Sequence, residues 1–293
     1  MKALHLFAAI ALWITPAIVR AADLPVSYTI DEKALKVSGA TSSAHAADVV
    51  VTACSQEVPA GATAVLDADL NCIGASTAVF LDDGASLDLQ GHLLYAGIDG
   101  VLCGTPDDCA RSATCKRGSC TVMNGTIRGG PAFGPSAALR GDRLTAIGVT
   151  FTENGEFALV GRRITLTDVI IDRPVLAPLA ARGRVSATNV QVLGPTSGSF
   201  FSRTRIDMVN SYSESTVEAR TVHLVSSTVT LAPGGVIAWR ARLENSTVRG
   251  NNRLACFECA DLVTSRRPLL DATSFCEHSL RRSGGTWGVC SLD

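Results

Sequence analysis

The chain has 293 residues, with 26 Lys+Arg against 27 Asp+Glu and a formal net charge of −1. Aromatic residues make up only 5% of it. Near-neutral charge, few aromatics and a basic half without lysine argue against a nucleic-acid partner.

Residues 1–21, MKALHLFAAIALWITPAIVRA, read as a secretory signal peptide. Lys2 supplies the positive start, Leu4–Val19 an apolar run, and Val19-Arg20-Ala21 the small or apolar residues before a cut. The run is short for a bilayer span and contains Pro16, which argues against a membrane anchor. No later stretch is apolar enough to cross a membrane, so the mature chain is expected to be secreted, extracellular or periplasmic.

Ten cysteines fit that compartment: Cys54, Cys72, Cys103, Cys109, Cys115, Cys120, Cys256, Cys259, Cys276 and Cys290. An even number in an exported chain points to disulfides. The mature length can bury a core unaided, so bridges are expected to fasten loops and ends. The single C-x-x-C of Cys256 and Cys259 has no second pair and no H-x-x-x-H, which favours disulfides over zinc. No metal or other cofactor is expected.

Charge is uneven along the chain. Residues 22–136 carry 6 Lys+Arg and 13 acidic residues; residues 137–267 carry 16 Arg, no Lys and 11 acidic residues. Arginine forms bidentate pairs with carboxylates and phosphates.

The arginine-rich part repeats. Apolar residues follow an Arg at Leu144, Ile164, Val185, Ile206 and Leu243, and Thr221 at Val222. Val149, Val169, Val190 and Val248 stand five residues beyond their anchors. The runs DRLTAIGVTF, RRITLTDVII, GRVSATNVQV and ARLENSTVRG are β-type, with turns at Asn154-Gly155, Gly194-Pro195, Pro233-Gly234-Gly235 and Gly250-Asn251. A period of about 20 is too short for a propeller blade, lacks a leucine-rich signature, and shows no helical period. It predicts an all-β fold, a single-stranded right-handed parallel β-helix (solenoid) of about ten coils with capped ends. The expected boundaries are signal peptide 1–21, N-terminal cap 22–59, β-helix 60–265 with a Cys-rich inserted loop 101–120, and a disulfide-fastened C-terminal cap 266–293.

At Asp88-Leu89-Gln90-Gly91-His92 and Asn124-Gly125-Thr126-Ile127-Arg128-Gly129 the chain resembles exported β-helix proteins of the pectin-lyase-like superfamily. The resemblance covers about residues 60–265 and implies the fold. That superfamily includes polysaccharide lyases, hydrolases, epimerases and adhesins, so no single reaction follows. Arg205-Ile206-Asp207 begins like the R-I-K of polygalacturonase-like enzymes and then departs from it. Asp107-Asp108 lies in the Cys-rich loop, and neither G-H-G nor D-P-H-E occurs.

With the anchors facing inward, alternation turns their neighbours outward. Arg143, Arg163, Arg184, Arg205 and Arg242 stand before anchors, and Arg182, Arg203 and Arg240 three residues before them. This predicts a double row of guanidinium groups able to bind an anion. After the anchors come Thr145, Thr165, Ser186, Asp207, His223 and Glu244, the last three a column able to support acid–base chemistry. The alternative is that Asp207 and Glu244 pair with Arg205 and Arg242. His92 reads as a structural turn residue. Trp239 either stacks on a sugar or faces the core. Asn124-Gly125-Thr126 and Asn245-Ser246-Thr247 match glycosylation sequons, which turn and strand roles explain equally well.

The expected function is binding of acidic polysaccharide or cell-surface glycan through an Arg-rich sheet face. The alternatives are a polysaccharide lyase or glycoside hydrolase acting on uronate-containing glycans through Asp207, His223 and Glu244, or a structural or adhesion module without a ligand.

Overall fold

Runs rich in Val, Ile and Thr, broken every few residues by Gly, Asn or Asp, favour short strands over helices. The computed structural model describes residues 49–104, 118–129, 136–174, 176–194, 198–232, 235–250, 262–270, 275–276 and 278–280. They form an all-β parallel solenoid with a period of about 21 residues and, among the described residues, no helix. One turn is Ala177–Ala181, Arg184–Thr188 and Gln191–Leu193. These three strands lie on what are here called the first, second and third faces.

Each face stacks like on like. On the second face Ala64, Leu87, Val122, Ala146, Leu166, Ala187, Met208, Leu224 and Leu243 pair in succession, spanning about eight turns. Small and large residues alternate along Ala146, Leu166, Ala187 and Met208, which lets neighbouring turns interdigitate. Leu144, Ile164, Val185, Ile206 and Val222 form a parallel column, as their spacing predicted. The first face adds Val101, Leu139, Leu159, Leu179, Phe200, Val217 and Val236; the third adds Ile127, Phe151, Ile171 and Val192, all buried. The core is thus a filled column inside the three faces.

From Cys120 onward one spacing is constant. From Cys120, Leu144, Ile164, Val185, Ile206, Val222 and Ala241 on the second face, the third-face counterpart lies seven residues on. Four residues after each comes a left-handed residue: Asn124, Gly148, Asp168, Asn189, Asn210, Ser226 or Asn245, with φ between 47° and 62°. Glycine has no Cβ penalty there, and Asn and Asp tolerate the region best among the rest. Asn189 Nδ2 donates to Asp168 Oδ1 at 2.9 Å, tying one turn to the next. In Asn124-Gly125-Thr126, a Cβ on Gly125 would lie 2.4 Å from Leu89 Cβ, so only glycine fits.

The next residue inward is Val149, Val169 or Val190, then Ser211, Ser227 and Ser246. Each of these buried serines donates its hydroxyl to the carbonyl two residues back, at Val209, Val225 and Glu244, at 2.8 Å. Each hydroxyl also accepts an amide from the turn before: Val190 N to Ser211 Oγ 3.1 Å, Ser211 N to Ser227 Oγ 3.1 Å, Ser227 N to Ser246 Oγ 3.2 Å.

The 16-residue step from Ile206 to Val222 leaves the strands intact. Its five missing residues come from two corners. Four are lost between the third and first faces, where Val192 to Phe200 shortens to Ser213 to Val217. One is lost between the first and second faces, at the register shift between Ser202 and Arg205. There the two faces fuse into single strands, Phe200–Val209, Val217–Val225 and Val236–Glu244.

In the segment expected as the N-terminal cap, Val49 already pairs with Ala64, and Gln56 with Val79. Residues 1–48 lie outside the described residues. At the other end Leu262–Leu270 pairs with Val236–Glu244, and Phe275–Cys276 and His278–Leu280 follow. The Cys-rich loop leaves the first face at Cys103 and returns at Ser119, closed by a Cys103–Cys120 disulfide. A second disulfide joins Cys54 and Cys72. Two disulfides point to an oxidising, extracytoplasmic environment. Cys109, Cys115, Cys256, Cys259 and Cys290 lie outside the described residues.

Phe151 is fully buried in the third-face column, so Phe151→Ala should cost about 3–5 kcal/mol by urea denaturation. Ile147→Ala, at 37% exposure, should change little. Tyr212 offers a titration test. Burial pushes its phenol up to about 12, helped by its hydrogen bond to Glu214 Oε1 at 2.9 Å. A raised pKa means the folded state holds the proton longer, so this contribution is full below the unfolded value of 10 and is lost as pH rises through 12. Wild-type protein should therefore lose stability more steeply than Tyr212→Phe across that window, measured by denaturation at stepped pH.

Candidate functional site

The site is built on the outer side of the second face and the corner leading into it. Arg143 pairs with Arg163, and Arg184 with Arg205, as the repeat predicted. Beyond Thr221 the register differs from expectation: Arg240 follows Thr221, and Ala241, not Leu243, stacks on Val222. Arg240 therefore stands directly before its anchor, and Arg242, not Glu244, follows His223 in the column. The last repeat is 19 residues long, so the expected alignment was two residues out. A slip of two keeps every side chain on its face, so Arg242 still points outward. Val248 likewise belongs to the third-face column over Val229, not to the position now seen at Ser246. Simple alternation with Ile206 and Met208 would turn Thr204 inward, but it is exposed because it sits in the irregularity after Ser202.

Asp207, His223 and Glu244 nevertheless meet. His223 Nε2 lies 3.1 Å from Glu244 Oε1, and Nδ1 lies 3.6 Å from Asp207 Oδ1. Asp207, only 8% exposed, also accepts Arg184 Nε at 2.9 Å and Arg205 Nε at 2.7 Å. Its hydrogen bond holds the Arg205 guanidinium above its ordinary pKa. Glu244 is in turn paired with Arg242. The pairs Asp207–Arg205 and Glu244–Arg242 are thus both present, and each ring nitrogen of His223 faces a carboxylate. Further along the stack, Asp142 accepts Arg162 through both oxygens at 2.7 and 2.8 Å, with Arg143 at 3.9 Å.

Other guanidiniums are left over. Arg163, Arg182, Arg203, Arg220 and Arg240 are exposed and, among the described residues, have no carboxylate within 4.0 Å. Arg182, Arg203 and Arg220 follow the paired Ala181, Ser202 and Ala219 on successive turns, about 4.8 Å apart in the backbone, while Arg163 and Arg240 stand in the second-face column four turns apart. Among the described residues no group of three His, Cys, Asp or Glu side chains is disposed to hold a metal ion. His92 sits beside the left-handed Gln90 and Gly91, with Nδ1 3.4 Å from Asp69 Oδ1.

Beside these arginines lies a groove of about 610 Å3. Three consecutive turns each supply the same two positions. The outward first-face residues are Phe201, Glu218 and Ile237, which stack in register. The corner residues are Arg203, Arg220 and Trp239. The groove coincides with the register shift after Ser202, where the corner tightens. Trp239 is 38% exposed, which answers the question its sequence left open: it faces outward. Phe201, Glu218, Arg220 and Ile237 were not singled out from sequence. Phe200-Phe201 and Val236-Ile237 carried the missed signal, because two adjacent apolar residues in a strand cannot both face the core.

Compared with known protein families, curated proteins and solved structures, the chain gives no significant match.

Asp207 binds arginines from two turns, so Asp207→Asn leaves adjacent cations without their shared anion. It should cost about 2 kcal/mol, the range of a hydrogen bond to a charged group. The loss should shrink at high salt, which screens the remaining repulsion. Urea denaturation at two ionic strengths checks both.

Proposed function

We propose that this chain is an exported protein that binds acidic glycans through the arginine-bearing bend between its first and second faces. One observation carries the reading: exposed guanidiniums at the corner on the successive turns of Arg182, Arg203 and Arg220, without a carboxylate partner among the described residues. Holding like charges at coil spacing is unfavourable unless something neutralises them, and a polyanion laid along the axis does so. The signal-peptide-like start, the two disulfides and the turn sequences that resemble those of the pectin-lyase-like superfamily support export and a glycan partner.

Binding accounts for the geometry better than catalysis does. A proton-transfer histidine needs a ring nitrogen aimed at substrate. In His223 both nitrogens face carboxylates, and those carboxylates hold arginines.

The test uses the purified, oxidised protein and a panel of acidic polysaccharides. Binding is followed at low and high salt, with assay for unsaturated uronate ends and new reducing ends in the same samples. Salt-sensitive binding without products is expected. The double variant Arg163→Gln, Arg240→Gln should weaken it about tenfold, equivalent to about 1.4 kcal/mol, and flatten its salt dependence. Products lost with Asp207→Asn or His223→Ala would instead make the chain an enzyme. Neither binding nor products would leave only a structural module.

A further inference from the structure

The groove differs in chemistry from the arginine row beside it, and that difference implies selectivity. It combines an exposed indole, two apolar side chains, two guanidiniums and one carboxylate. A simple polyanion would be served by cations alone and repelled by Glu218. A neutral ligand would have no use for Arg203 and Arg220. Building on the acidic-glycan reading, we infer that this groove seats one pyranose ring carrying a single carboxylate, a hexuronate unit of the bound chain, and selects it over sulfated sugars.

The parts match that ligand group by group. A pyranose has an apolar C–H face, and Trp239 at 38% exposure, which lines the groove together with Phe201 and Ile237, offers an apolar surface for it. The ring carboxylate has the planar two-oxygen geometry that a guanidinium fork accepts. Arg203 and Arg220 stand at the corner on consecutive turns, exposed and without a carboxylate partner among the described residues. Glu218 stands between Phe201 and Ile237 in the first-face column, where its oxygens can accept sugar hydroxyls. Among the described residues its one hydrogen bond is a long one, from Ser199 Oγ at 3.4 Å, which leaves acceptor capacity on the carboxylate. The same carboxylate penalises a ring bearing several sulfates, since like charges in a shared site repel. At about 610 Å3 the groove falls in the ~300–1,000 Å3 range of small-ligand sites.

The experiment compares a hexuronate oligosaccharide with dextran sulfate, using calorimetry and intrinsic tryptophan fluorescence. Wild-type protein should bind both with salt sensitivity, and only the hexuronate should change the fluorescence. Trp239→Ala should abolish that change and weaken hexuronate binding at least about tenfold, about 1.4 kcal/mol. Its affinity for dextran sulfate should move less than twofold. Trp239→Phe, which keeps an apolar ring and the fold, should recover part of the hexuronate affinity. Glu218→Gln should raise dextran sulfate binding while lowering hexuronate binding. If Trp239→Ala weakens both ligands equally or neither, the subsite is wrong while the general glycan reading stands. If wild-type protein binds neither ligand, that reading fails and the subsite with it.

Discussion

Parallel stacking sets each residue about 4.8 Å from its counterpart one turn away. Everything else in this molecule follows from that self-proximity. For apolar residues it is favourable: Leu144, Ile164, Val185, Ile206 and Val222 exclude water by covering one another. For ionised residues it is unfavourable, and the chain handles it in three ways. Asp142 and Asp207 each hold two arginines. His223 is set between acids. A third group, Arg163, Arg182, Arg203, Arg220 and Arg240, is exposed to solvent with no carboxylate within 4.0 Å among the described residues.

Most of the fold was legible because, from Cys120 onward, the turn from second to third face has a constant length. The anchor, the left-handed residue four positions on and the third-face residue seven positions on leave a pattern in Asn124, Asp168, Asn189, Asn210 and Asn245. The other two corners vary more widely, the step from third to first face running from Ser213–Val217 to the much longer Ile127–Leu139, and there sequence reasoning failed. Ala241 and Leu243 both follow an arginine, and leucine resembles a core anchor more than alanine does. The core nonetheless takes alanine at that position. Because the resulting error was two residues, the inward and outward assignments survived while the stacking partners did not. Glu244 still reaches His223 because a glutamate side chain is long enough to cross the diagonal.

The groove was harder to read. It arises where the corner between first and second faces shortens, and no single residue type marks that event. Its apolar lining comes from outward-facing Phe201 and Ile237, which a search for the buried face passes over. The charge network and the groove are neighbours on the same strands: Arg203, Arg205 and Asp207 follow one another along Phe200–Val209. Rigid pairing at Asp207 therefore fixes the backbone that also presents the groove, and rigid elements position a binding surface better than loops do.

The switch from buried valine to buried serine at Ser211 divides the turns into two kinds. Turns with valine at this position make no side-chain demand on the amide of the turn before. In the serine turns, the hydroxyl of Ser227 receives the Ser211 amide, and that of Ser246 receives the Ser227 amide. A valine turn inserted between them would remove the hydroxyl acceptor that the Ser211 amide now uses. These last turns are consequently not interchangeable modules. The turns that carry the groove are thereby linked in a fixed order by a hydroxyl relay that runs from Val190 through Ser211 and Ser227 to Ser246.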